Sequence, residues 1–150
     1  MTRALTEQEW WGAVRKLYQS SELGILETIS QDTWIEIFEN PKYTNTDLLM
    51  GKRELQYMRS ITEPIHIYRG IGTDSEIDFD KYGYGFSWTT DIDRARWFAG
   101  RFNCANKVLL NAVVIPTQII AVFLDMNEKE IVVNPLTIID NIKTEVIDEI

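Results

Sequence analysis

Cysteine and histidine are almost absent from this chain of 150 residues, which holds one of each, Cys104 and His66. A single thiol forms no internal disulfide framework and no cysteine-rich zinc site. A single imidazole removes every two-histidine metal motif and leaves a histidine-based triad without support. Basic residues are also scarce: 15 Lys and Arg against 23 Asp and Glu give a net charge of −8. That balance argues against nucleic-acid binding, which needs clustered cations to displace counterions, and equally against an anionic membrane surface. Long apolar runs are missing too. The longest, around Ala112 to Phe123, is interrupted by Pro116, Thr117 and Gln118 and is too short to span a bilayer. The stretch from Met1 to Trp11 is polar and acidic, without the basic start and apolar core of a signal peptide, so a soluble, cytoplasmic protein is expected. Chemistry here has to run on carboxylates, hydroxyls and arginine.

What is present is ample core material. With 45% hydrophobic and 11% aromatic residues, disorder is excluded and one domain of ordinary size is expected. Two parts read differently. Residues 1–60 are helical in pattern. Thr6 and Glu9 form a capping box, after which Trp10, Ala13, Val14 and Leu17 fall on one helical face. A second helix is expected from near Asp32 to Asn40-Pro41, and a third from near Thr46 with Gly51 in its interior. Residues 61–150 turn to strands. Ile65 to Arg69 alternates and is expected to be broken by Gly70 and Gly72; Phe86 to Thr89 forms a short strand. Thr90 and Asp93 then read as a capping box opening a helix whose buried face is Ala95, Phe98, Ala99 and Phe102. Strands follow at Lys107–Val114, Gln118–Phe123 and Glu130–Val133, with one or two more between Thr137 and Ile147. The expected class is α+β, helices first and sheet second.

Three short pieces place polar groups where a sheet normally has none. In Tyr68-Arg69-Gly70 a strand-end arginine can grip a phosphate or carboxylate, and glycine admits close approach to the backbone. In Phe86-Ser87-Trp88-Thr89 the hydroxyls of Ser87 and Thr89 share a face, with Phe86 and Trp88 on the other. In Glu128-Lys129-Glu130 two carboxylates face the same way before an apolar strand, which suits an acid/base or cation-stabilising pair. Taken singly, each has an ordinary structural explanation: a surface ion pair, a polar edge strand, a solvated turn.

In this order, the three pieces resemble the Arg-Ser-Glu class of mono-ADP-ribosyltransferases, the class of the cholera-like and actin-modifying toxins and of small phage and bacterial proteins. The resemblance covers about residues 60 to 147, and helices usually precede that core. It implies a split β-sheet or β-sandwich NAD-binding core, NAD as substrate and no metal. It also implies roles. Arg69 would hold the NAD pyrophosphate or ribose, and Gly70 would present its backbone to the nicotinamide amide. Ser87, supported by Thr89, would orient the catalytic glutamate. Glu130 would bond the nicotinamide-ribose 2′-OH, and Glu128 would act on the acceptor. Trp88, Trp97 and Phe102 are the candidates for stacking on nicotinamide. Trp88 and Thr89 stand where the family usually has Thr and Ser, and little room remains for its phosphate–nicotinamide loop.

The implied activity is transfer of ADP-ribose from NAD to a side chain of a host or cellular protein, arginine favoured by the first glutamate of Glu-x-Glu, with release of nicotinamide. The host cytoplasm would be the site of action if the chain is phage-encoded. Rival readings are a catalytically idle protein of the same fold that blocks a host complex, and an NAD glycohydrolase.

Overall fold

The computed structural model describes residues 3–22, 29–125 and 129–147. It is an α+β structure in which helices cover a six-stranded, fully antiparallel sheet.

Helix α1 spans Glu7–Glu22. The capping box forms as its sequence dictates: Glu9 N donates to Thr6 Oγ1 (3.1 Å) and Thr6 N to Glu9 Oε1 (3.0 Å). Two hydrogen bonds from Arg3, with those from Thr6, hold the Glu9 carboxyl down at about 2. The buried stripe is Trp11, Val14 and Tyr18, one position round from the expected face; Trp10 and Leu17 are half-buried and Ala13 is exposed. The larger rings win the inner positions because Trp11 and Tyr18 both pack on Phe38, at 6.4 and 5.9 Å between centroids.

Helix α2, Gln31–Phe38, is capped by Ser30, whose Oγ accepts from Thr33 N, and buries Trp34 and Phe38 at i and i+4. The expected third helix is two elements. A 3₁₀ turn at Thr46–Leu49 precedes helix α3, Lys52–Ser60, and Gly51 sits at the α3 N-cap instead of in a helix interior. Glu54 reaches back to accept from Gly51 N at 2.8 Å, which satisfies a donor that the first turn leaves orphaned.

The strands are β1 (Ile65–Thr73), β2 (Ser87–Thr89), β3 (Asn106–Val114), β4 (Ile119–Phe123), β5 (Glu130–Val133) and β6 (Lys143–Val146). All six join one sheet in the order β4-β5-β2-β1-β3-β6. β1 runs straight through Gly70 and Gly72, pairing with β3 from Ile65↔Val114 to Thr73↔Asn106. Its register with β2, by contrast, is Tyr68↔Thr89 alone among the described residues. That seam is where the sheet is least zipped. One-turn helix α4 (Phe79–Tyr82) and helix α5 (Ile92–Gly100) flank β2. The α5 cap is Asp91, whose carboxylate accepts from Asp93 N and Arg94 N; Thr90 does not fill that place.

Two core clusters result. One joins Ile67, Trp88, Leu110, Val122 and Ile131 to Met58 and Tyr57 of α3. The other joins Ala121, Phe123, Val132 and Phe86 to Trp11, Tyr18, Trp34 and Phe38 of α1 and α2. Phe86 and Trp88, expected on one face, therefore pack in different clusters. Gly85, at φ +87°, turns the chain between Tyr84 and Phe86 and sets Phe86 among the helices.

A polar hub ties the helical part to the sheet. Arg15 of α1 donates to Leu49 O (2.9 Å), to both Glu54 oxygens (2.5 and 2.8 Å) and to Asp125 Oδ2 (3.0 Å). Glu54 also accepts from Leu124 N at 2.9 Å, and the Arg15 guanidinium lies over the Phe123 ring at 4.4 Å. Burial alone would push the Glu54 carboxyl up; Arg15 and the Gly51 and Leu124 amides hold it below its ordinary value. Among the described residues no helix is long and apolar enough to cross a membrane.

Candidate active site

The weak seam between β1 and β2 opens a cleft of about 400 Å³, floored by β1, β2 and the start of β5 and walled by α5. The wall stands close because β1 carries glycine where α5 crosses it. A Cβ added at Gly70 would lie 1.7 Å from the Ala95 carbonyl oxygen, and one at Gly72 would lie 2.2 Å from that of Ala99. Ala95 and Ala99 are themselves fully buried, so helix backbone rests on strand backbone with nothing between.

The three motifs meet here. Arg69, Gly70, Ser87, Thr89 and Glu130 all line the cleft, from three strands that are adjacent in the order β5-β2-β1. Arg69 reaches across the seam, its Nη1 donating to Ser87 O at 2.8 Å. It stands against Gly85, where an added Cβ would come within 2.6 Å of Cζ. Glycine at 85 thus serves both the left-handed turn and the space for the guanidinium. Thr89 lies directly opposite Glu130 in register, whereas Ser87 opposes Val132. In an antiparallel pair the directly opposed side chains share a face at about 5 Å, and the diagonal neighbour is nearer 7 Å. Thr89 is therefore closer to Glu130 than Ser87 is. Its own Oγ1 accepts from Asp91 N (3.1 Å), which links the cleft floor to the α5 cap.

Other residues fall differently. Trp88 borders the cleft but is 2% exposed and packs in the core, and it donates Nε1 to Gly85 O at 3.0 Å, which braces the turn that Arg69 stands against. Phe102, expected on the buried helix face, lies beyond the end of α5 and is 73% exposed at the cleft rim. Trp97 is exposed and outside the lining. Glu128 lies outside the described residues. His66 is exposed and Cys104 half-buried.

Sequence reasoning missed the α5 wall. Arg94, Phe98 and Arg101 line the cleft at helical i, i+4 and i+7 positions. The signal was present in Arg94-x-x-x-Phe98-x-x-Arg101, a basic-aromatic stripe in an acidic chain, but it reads equally as an amphipathic helix. Arg94 lies 5.0 Å from the Phe98 ring centre, as does Arg101. Among the described residues the lining holds three arginines and one carboxylate, Glu130, although the chain as a whole is at −8. Among the described residues no three or more His, Cys, Asp or Glu group as metal ligands. Comparison of the chain with protein-family models, with curated proteins and with solved structures gives no match in any of the three.

Proposed function

We propose that the protein is an NAD-dependent mono-ADP-ribosyltransferase of the Arg-Ser-Glu type, with NAD as substrate and a protein side chain, arginine favoured, as acceptor. The observation that carries this reading is the convergence of Arg69, Ser87, Thr89 and Glu130, from three separate short motifs, on one arginine-rich cleft. A dinucleotide presents a dianionic pyrophosphate between two flat bases, which suits guanidinium groups set among aromatic rings.

In the reaction the nicotinamide–ribose bond breaks, and its electron pair neutralises the pyridinium nitrogen of the departing nicotinamide. Positive charge is left on the ribose C1′ and ring oxygen, as in glycoside hydrolysis. Glu130 is the carboxylate in the cleft that can oppose this charge and accept a hydrogen bond from the ribose 2′-OH, a bond that strengthens as the cation forms. The acceptor guanidine nitrogen then bonds to C1′ and loses one proton. A carboxylate must take that proton, because a protonated guanidinium has no lone pair to attack with. Glu128 is the residue assigned that role. Water can capture the same cation, so slow NAD hydrolysis accompanies transfer.

The test is NAD consumption by the purified protein, with labelled NAD added to a bacterial lysate and Glu130→Gln run in parallel. A labelled protein band and nicotinamide release that both vanish in the variant, with its fold intact by circular dichroism, are expected. A fully active Glu130→Gln variant refutes the assignment. NAD loss without any acceptor indicates a glycohydrolase. Neither activity, with no NAD binding by calorimetry, indicates the idle binding protein.

A further inference from the structure

We propose that the outer face of α5 and the turn after it form the docking surface for the acceptor protein, and that this surface takes an acidic segment. The inference rests on the transferase reading and adds the partner's chemistry to it.

Of the five tryptophans, Trp11, Trp34 and Trp88 are buried and Trp10 is half-buried, whereas Trp97 is 52% exposed. Phe102, 73% exposed, lies five residues on. Arg101 gathers these rings: its Cζ lies 5.9 Å from the Trp97 centroid, 5.0 Å from Phe98 and 4.5 Å from Phe102. Arg94 also sits over Trp97, at 4.7 Å. Exposed tryptophan, phenylalanine and arginine in one patch is the composition of an interface centre, where rigid rings and guanidinium forks supply most of the binding energy.

Charge selects the partner. Arg94 and Arg101 bracket the exposed rings in a chain that is otherwise strongly acidic, so the patch is a local cationic site that attracts carboxylates. A protein segment suits it better than a nucleic-acid strand. A long run of phosphates leaving the patch meets a chain at −8, whereas a short segment with one or two carboxylates stays within it. Position gives the patch its use. Phe98, Arg101 and Phe102 belong both to the patch and to the cleft lining, so a segment bound there sits at the mouth where Glu130 acts.

Three probes test this by calorimetry and by the emission of Trp97: an arginine peptide flanked by Asp, Glu and Leu; one of equal length flanked by Lys; and oligothymidylate. Trp97→Ala and Trp97→Glu are the variants, since Trp97 is exposed and does not line the cleft. The acidic peptide is expected to bind and shift the emission, to weaken as salt rises, and to bind each variant about tenfold less tightly. NAD hydrolysis and transfer to the small guanidine agmatine should stay within about twofold of wild type in both variants. Equal binding of the two peptides, or undiminished binding by the variants, overturns the proposal, and tighter binding of oligothymidylate replaces it with a nucleic-acid surface. If wild type cleaves NAD but ignores the acidic peptide, the docking surface alone is wrong. If it binds the peptide but neither cleaves NAD nor modifies agmatine, the transferase reading fails and with it the word acceptor.

Discussion

Replacing Gly70 with alanine adds one methyl group at the most crowded point of the cleft wall. The new carbon would lie 1.7 Å from the Ala95 carbonyl oxygen, 2.8 Å from its carbon and 2.9 Å from Ala99 N, where real contacts essentially never fall below 3.0 Å. Relief requires α5 to retreat from β1 by more than about 1 Å, since both obstacles are backbone and no side-chain rotation clears them. A retreat of that size opens a gap beside Ala95 and Ala99, which are 0% and 1% exposed. Overpacking costs about 1–3 kcal/mol in general, and a clash with rigid backbone belongs at the upper end or beyond. At about 2–4 °C per kcal/mol for a chain of this size, the midpoint of thermal unfolding should fall by about 6–12 °C. Urea denaturation gives the free energy directly, and on the transferase reading proposed above NAD affinity of the remaining folded protein should fall as well, because the wall bearing Arg94 and Arg101 has moved. A Gly70→Ala protein within about 1 kcal/mol of wild type refutes the close-packed wall.

Other outcomes follow from the hub and the seam. Glu54→Gln leaves the part-buried Arg15 poorly compensated and should cost about 3 kcal/mol near neutral pH. Because the Glu54 carboxyl is held below its ordinary value, its contribution is complete above about pH 4.3 and lost as pH falls through the lower folded value. The stability gap between wild type and Glu54→Gln should therefore close in acid, which urea titrations at several pH values will show; a gap that widens in acid contradicts the geometry. Arg69→Lys loses the planar fork that reaches Ser87 O, so on the transferase reading kcat/KM for NAD should drop at least about tenfold, a loss of about 1.4 kcal/mol or more in the transition state. Thr6→Ala removes one half of the α1 capping box and should cost about 1 kcal/mol in chemical denaturation, with NAD turnover unchanged.

The residues that line the candidate site were the most legible part of the chain. Arginine before glycine at Arg69-Gly70, hydroxyls two apart at Ser87 and Thr89, and carboxylates before an apolar strand at Glu130 all break the ordinary strand pattern, and the cleft gathers them. Strand β5 begins at Glu130 as the apolar run after it requires. What escaped notice was written in ambiguous residues. Trp88 reads equally as a stacking platform or as core, and in the structure it packs in the core while still bordering the cleft. Gly70 and Gly72 read as strand breakers, because the helix that needs their empty faces lies more than twenty residues away. Arg94 and Arg101 read as the wet side of an amphipathic helix. The Arg15–Asp125 contact joins positions 110 apart, and no local pattern announces such a pair.

That same pair sets a schedule for folding. Arg15 of helix α1 is synthesised 110 residues before Asp125, the acid that completes its hub. At about 5–20 residues per second, the amphipathic face of Trp11, Val14 and Tyr18 waits roughly 5–20 s for β4 to arrive. During that interval Glu54 is available to Arg15 but Leu124 and Asp125 are not, so the early helices can assemble only a partial hub. A nascent chain stalled before residue 119 would leave that aromatic face uncovered by the sheet, which makes the interval the period in which the protein is most exposed to aggregation or to capture by a chaperone.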